Sequence, residues 1–162
     1  MRHYRQTHRE KCAGERHWFR SQRNLTGALR LAGLAKDSRG KRYSHQYRLK
    51  AETLKKCAAV LLQSRAAIRR AHDFQSLHSL VSELIGDIKG VGELMVYDTA
   101  IRIGAYQRLE PTEVFLHAGT RRGAAALGLE ARGATIALSK LPAAFQSLTC
   151  VEAEDILCIY KG

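Results

Sequence analysis

Ile85-Gly86-Asp87-Ile88-Lys89-Gly90-Val91-Gly92-Glu93-Leu94-Met95-Val96-Tyr97-Asp98-Thr99-Ala100-Ile101-Arg102-Ile103 is the stretch on which the fold turns. An apolar pattern of helical period enters it through Leu80, Val81, Leu84 and Ile88 and breaks at Gly90-Val91-Gly92. A second such pattern follows through Val96, Ala100, Ile101 and Gly104. Two glycines flanking one apolar residue permit a tight reversal, because glycine adopts positive φ and lets backbones approach. Val91 between them suits the groove where the two helices meet. The first amides of the second helix lack partners within that helix and point outward together, which makes the turn a site for an anion.

The residues Ile88-Lys89-Gly90-Val91-Gly92, with the small Ala100 facing back from the following helix, resemble the helix-hairpin-helix motif of DNA-binding and DNA-repair proteins. The likeness is confined to residues 85–103. It implies a grip on a phosphate backbone through hairpin amides without sequence preference, often assisted by a bound monovalent cation. No other cofactor is expected. The competing reading is an ordinary helix end followed by a helix start inside an all-helical core.

Charge sharpens the choice. The 162 residues hold 27 Lys and Arg against 15 Asp and Glu, a formal net charge of +12 that attracts polyanions. Residues 1–73 carry 19 basic and 5 acidic residues, whereas residues 74–162 carry 8 and 10. The expected fold is therefore all-α: a basic N-terminal helical arm and loop over 1–48, then a compact helical domain over 49–162 built around the hairpin, or one continuous domain. The scarcity of proline, two residues in all, favours helix. Cys12, Cys57, Cys150 and Cys158 form no CxxC pair and read as reduced, buried thiols. No apolar run is long enough to span a membrane, and the Arg-rich start lacks the apolar region of a signal peptide, so a cytoplasmic location is expected.

The basic segments supply candidate contacts. Residues 2–20 mix Arg and His with Tyr4, Trp18 and Phe19, and a helix is expected from Tyr4 to Phe19. Rings among guanidiniums can stack on bases while the cations meet phosphates; alternatively Trp18 and Phe19 anchor the arm to the core. His3, His8, Cys12 and His17 fit no compact zinc spacing, and no metal is expected. A short helix over 22–35 turns Leu25, Leu29 and Ala32 to one side. In the loop Asp37–Arg48, a turn at Gly40 lays Arg39, Lys41 and Arg42 along a phosphate chain, or leaves them in solvent. One long helix is expected from Lys50 to Ala71, with Leu54, Cys57, Ala58, Leu61, Leu62 and Ile68 inward and Lys55, Lys56, Arg65, Arg69 and Arg70 outward. Asp73 caps the next helix, whose stripe is Phe74, Leu77, Leu80, Val81 and Leu84.

Past Leu109, Pro111 opens a short turn or helix, and a helix over Arg121–Leu127 stops at Gly128. Residues 134–141 form a short apolar piece, helical or extended, before Pro142. Thr149 and Glu152 form a capping box for a last helix. Chemistry is sought here through the helix-hairpin-helix DNA glycosylases. That resemblance implies a catalytic Asp in the loop after the second hairpin helix and, in bifunctional members, a Lys just inside the hairpin. Here Glu93 or Leu94 takes the Lys place. The loop offers Glu113 instead of Asp, with His117, Arg121 and Arg122 close behind. Glu113 could activate water or stabilise an oxocarbenium-like sugar; its plainer role is a solvated turn acid, and that of His117 a buried cap. Tyr97 and Asp98 are a second phenol–acid pair, with Asp98 one turn from Arg102.

The leading expectation is a non-catalytic protein of double-stranded DNA. Its contacts would be Lys89, Gly90, Val91, Gly92, Arg39, Lys41, Arg42, Arg65, Arg69, Arg121 and Arg122. The alternatives are a divergent DNA glycosylase using Glu113 and His117, and an interaction subunit for an acidic protein or RNA.

Overall fold

The computed structural model describes residues 2–161. Met1 and Gly162, the outer limits of the expected arm and domain, lie outside them. The chain is mostly helical, as the all-α expectation requires. Packing divides it into two compact units: a central unit, Ala13–Glu110, and a terminal unit made of Met1–Cys12 with Pro111–Gly162. The basic arm and loop were expected to end at residue 48; the two packing units join along the chain at residues 12 and 110.

The first segment forms two helices, α1 (Arg2–Thr7) and α2 (Arg9–Arg20), rather than one, although backbone bonds from His8 to Tyr4 and from Cys12 to His8 bridge the break. The helix α2 belongs to the terminal unit up to Cys12 and to the central unit beyond it. In α3 (Leu25–Gly33), Asn24 caps the start by accepting the Gly27 amide at 2.9 Å, and Leu25, Ala28, Leu29 and Ala32 are buried. The long helix expected over 50–71 is interrupted at Ser64, giving α4 (Ala51–Gln63) and α5 (Arg65–Arg69). The Ser64 amide closes α4 on the Val60 carbonyl at 3.0 Å, and the short α5 then buries Ile68. The inward residues Leu54, Cys57, Ala58 and Leu61 lie as the stripe requires, and burial pushes the Cys57 thiol up to about 11.

Asp73 does cap α6 (Phe74–Ile85): its carboxylate accepts the Ser76 amide at 2.7 Å and sits below the usual carboxylate range mainly for that reason. The helix α7 (Glu93–Gln107) is the most buried of the central unit, with Met95, Val96, Tyr97, Thr99, Ala100 and Ile103 inside. It packs against α3 and α6. Asp98 meets Arg102 one turn on at 3.5 Å, as its spacing implies, while Tyr97 is buried edge-on to Phe74.

In the terminal unit, β1 (Val114–Phe115) pairs antiparallel with β2 (Thr135–Ile136), so the piece at 134–141 begins extended. Between them lies α8 (Ala118–Ala126), and Gly128, at φ +72°, follows its end. The last helix, α9 (Cys150–Ile159), carries the expected Thr149–Glu152 capping box. Its inner face joins Val114, Leu116, Ile136, Leu141, Phe145 and Tyr4 in one apolar cluster. The α8 and α9 backbones touch at Gly123, where a Cβ would stand 2.1 Å from the Leu157 carbonyl oxygen. Two side chains of the N-terminal segment fasten this unit: the Tyr4 hydroxyl donates to Asp155 at 2.7 Å, and Arg9 pairs with Glu152 at 2.5 Å. Burial opposes the charge of Glu152, yet the Thr149 amide and Arg9 outweigh it and hold the carboxyl below its usual range. Among the described residues, no helix is long and apolar enough to cross a membrane. Cys57 and Cys150 are buried, Cys12 and Cys158 half-buried.

Candidate functional site

The turn between α6 and α7 is built from short local bonds. Beyond Ile85, the Ile88 amide donates to the Ile85 carbonyl at 3.1 Å and the Val91 amide to the Ile88 carbonyl at 2.9 Å. The reversal places Gly90 at φ +96°, which any residue with a Cβ adopts only under strain. Gly92 then starts α7 in an extended conformation with no side-chain cap, and Val91 between the glycines is half-buried. Lys89, Gly90 and Gly92 are exposed. Glu93 occupies the first turn of α7, where a negative charge is favoured by the helix dipole.

Two contacts from one short segment brace this turn. The Thr53 hydroxyl, in the first turn of α4, donates to the Lys89 carbonyl at 3.2 Å. Seven residues earlier, buried Gln46 reaches the first turn of α7, its amide 3.1 Å from the Met95 sulfur and 2.8 Å from Asp98. The segment between them therefore runs beside the hairpin, and it carries Tyr47, Arg48 and Lys50 into solvent. Arg48 lies over the Tyr47 ring at 5.6 Å, and Tyr47, 64% exposed, is the most exposed large ring of the described residues. Lys56 stands one turn beyond Thr53 on the same side of α4 and is exposed. Tyr47 and Arg48 close the expected basic loop and Lys56 lies on the expected outer face of the long helix, whereas Lys50 was not offered as a contact. Their place beside this turn had no signal in the sequence, because it lies in which neighbour Gln46 and Thr53 hold rather than in any motif.

The basic loop expected over 37–48 is not a free strap. Asp37, 5% exposed, accepts the Arg39 and Lys41 amides at 3.0 and 2.8 Å and the Arg39 guanidinium at 2.9 Å. Burial works against its charge, but these donors prevail and hold the carboxyl below its usual range. Arg42 donates to the carbonyls of Tyr47 and Leu49 at 3.1 and 2.7 Å. The Tyr43 hydroxyl donates to Glu15 at 2.8 Å while the Arg102 guanidinium stacks on its ring at 4.0 Å; burial chiefly raises that phenol, so it stays protonated. His45 meets Asp98 at 2.7 Å. Of the expected cations, Lys41 and Arg69 are exposed, Arg39 is exposed although paired with Asp37, and Arg65 bonds the Thr26 hydroxyl at 3.1 Å.

Arg121 and Arg122 belong to the terminal unit, Arg121 reaching toward the Gly133 carbonyl at 3.5 Å. The two residues considered for catalysis have separate partners there. Glu113 is exposed and accepts the Thr135 hydroxyl at 2.6 Å across the ribbon. His117 is 3% exposed and caps α8: its amide bonds Thr120 and its Nδ1 accepts the Gly119 amide at 3.2 Å. With Nδ1 accepting, the proton lies on Nε2, which donates to buried Glu154 at 2.5 Å. His3, His8, Cys12 and His17 do not gather as metal ligands; His3 and His8 instead pack edge-on against Tyr160.

No protein-family model, no curated protein and no solved structure matches this chain at a significant level.

Proposed function

We propose that the central unit binds double-stranded DNA by gripping its phosphate backbone without reading sequence, using α6, the Gly90–Gly92 turn and α7 as a helix-hairpin-helix. The observation that carries this reading is the bracing segment: Gln46 at α7 and Thr53 at Lys89 set Arg48, Lys50 and Lys56 beside the hairpin, with Tyr47 exposed among them. Glu93 already supplies a negative charge to the α7 terminus, so attraction for a phosphate comes from these cations and Lys89. Composition supports the reading too. The central unit holds 18 basic and 9 acidic residues, and several of its acids are engaged within it. Contacts of this kind position a protein on a duplex and carry no base information. Nothing in the braced hairpin calls for catalysis.

The test is fluorescence-anisotropy titration of the full chain with two unrelated duplexes over a salt series. Equal affinities are expected, with Kd on the order of 10⁻⁵ M near physiological salt and a steep fall as salt rises. The triple substitution R48A/K50A/K56A should reduce the slope of log K against log salt by roughly 0.9 for each phosphate that the variant no longer neutralises. Absence of binding at low salt overturns the proposal. So does a slope unchanged in the triple variant when its circular dichroism matches that of the parent. Stronger binding to an acidic polypeptide or to duplex RNA than to DNA would replace the partner.

A further inference from the structure

In the terminal unit, three side chains of unlike chemistry converge where α8 begins. One ligand atom each from His117, Glu154 and Cys158 all lie within 4.8 Å of one another, the one such group among the described residues. His117 is fixed by capping α8, and Glu154 and Cys158 stand one turn apart on the same side of α9. The crossing of the two helices brings the sets together. Gly123 lets the backbones touch, and Gly119, one turn earlier in α8, leaves room at the cluster itself. A Cβ at Gly119 would stand 2.9 Å from the Cys158 sulfur and 3.1 Å from His117 Cε1. His117 and Glu154 are 3% and 4% exposed, so this is an interior group rather than a chance meeting of surface acids. The His117–Glu154 hydrogen bond explains two members of the cluster. It does not explain a thiol at the third position.

We propose that His117, Glu154 and Cys158 are the ligands of one divalent transition-metal ion, Zn²⁺ by the character of the donors. A nitrogen, a carboxylate oxygen and a sulfur form a set that Mg²⁺ and Ca²⁺, which prefer oxygen alone, do not select. Bonds of roughly 2.0–2.3 Å in a tetrahedron set ligand atoms roughly 3.3–3.7 Å apart. A pair at the 4.8 Å limit meets that spacing by closing about 1.1–1.5 Å, a movement two side chains can share. Binding forms a sulfur–metal bond as the Cys158 S–H bond breaks and its proton passes to solvent. The Glu154 carboxylate contributes one oxygen. The imidazole contributes either the Nδ1 lone pair that now accepts the Gly119 amide or an Nε2 lone pair freed as the Nε2 proton moves to Nδ1; either way the Gly119 amide loses its acceptor. Three protein ligands leave a fourth position for water. The ion would pin the start of α8 to the last turns of α9, so metal affinity would add to the stability of this unit.

The test uses the full chain, stripped with chelator, and then Zn²⁺ or Co²⁺ alone. Calorimetry should show one saturable Zn²⁺ site and a higher melting temperature with the ion. Co²⁺ should give a thiolate-to-metal charge-transfer band together with the intense visible bands of four-coordinate cobalt. C158S, nearly isosteric, should lose the charge-transfer band and bind Zn²⁺ at least about 100-fold more weakly, since even residues outside the ligand set change affinity 10–100-fold. E154Q should weaken binding while keeping the charge-transfer band, and C12S should leave binding unchanged. No saturable site in the folded parent overturns the proposal. Parent-like Zn²⁺ affinity in a folded C158S variant also overturns it, because the ion then sits elsewhere.

Discussion

In the central unit the buried acid Asp37 finds its partners within four residues, at the amides of Arg39 and Lys41 and the Arg39 guanidinium. In the terminal unit the buried acids of α9 find theirs far along the chain. Glu152 takes Arg9, Glu154 takes His117, and the neighbouring Asp155 takes Tyr4. The two units also differ in balance, 18 basic to 9 acidic residues against 9 to 6. One unit fixes a loop locally and keeps a surplus of cations for its surface. The other commits half of its acids to fastening its own distant segments. Charge is therefore available for a polyanion in the first, whereas in the second it is engaged in holding the fold.

The contrast breaks most visibly at Gly123. The substitution G123A puts a methyl group where a Leu157 carbonyl stands 2.1 Å away, and backbone cannot yield as a flexible side chain can. A loss of about 3 kcal/mol or more is expected, at the upper end of what overpacking costs. Hydrogen exchange should locate it: α8 and α9 lose protection while α3, α4 and α7 keep theirs. Equal loss in both units would show that the division by packing is not a division of stability.

A smaller effect is expected from D37A, which removes a local fastener. The amides of Arg39 and Lys41, on exposed residues, lose their acceptor and turn to water, at a cost of about 0.5–1.5 kcal/mol for each bond. Exchange should quicken over residues 38–43 and leave Gln46 near Met95, because the bonds from Gln46 to α7 are independent of Asp37. If the whole segment through Thr53 opens, the brace beside the hairpin depends on the Asp37 turn, and the variant should also bind DNA less well.

These two sites also mark what the sequence could tell. Local signals were readable: Asp73 and Thr149 as caps, Gly128 as a stop, the inward stripe of α4, and the reversal at Gly90. Each depends on residues within one or two helical turns. The break at Ser64 was not readable, because the apolar stripe continues through it to Ile68. Two-residue strands are too short to show alternation, so the ribbon was read only as an apolar piece. Least readable were the long-range fasteners. Tyr4 and Asp155 are 151 residues apart, and nothing near either one announces the other. For the same reason His117 read as a cap or a catalytic histidine, and Cys158 as one more buried thiol. Only the meeting of α8 with α9 makes them neighbours.

The mildest test concerns acid, and it separates two groups of the central unit. His78 is held below its ordinary value of 6.5 by burial, so the folded state favours its neutral form. Its contribution is complete above the unfolded value and begins to be lost as pH falls below 6.5. Asp37, whose carboxyl lies below 3.8, contributes fully above that value and is lost only as pH falls through its folded value. Melting temperature should therefore drop a little between pH 7.5 and 5.5 and more steeply in strong acid. In H78Q the first decline should shrink relative to the parent while the second persists; in D37N the reverse should hold. An undiminished first decline in H78Q would show that the burial of His78 is not its cause.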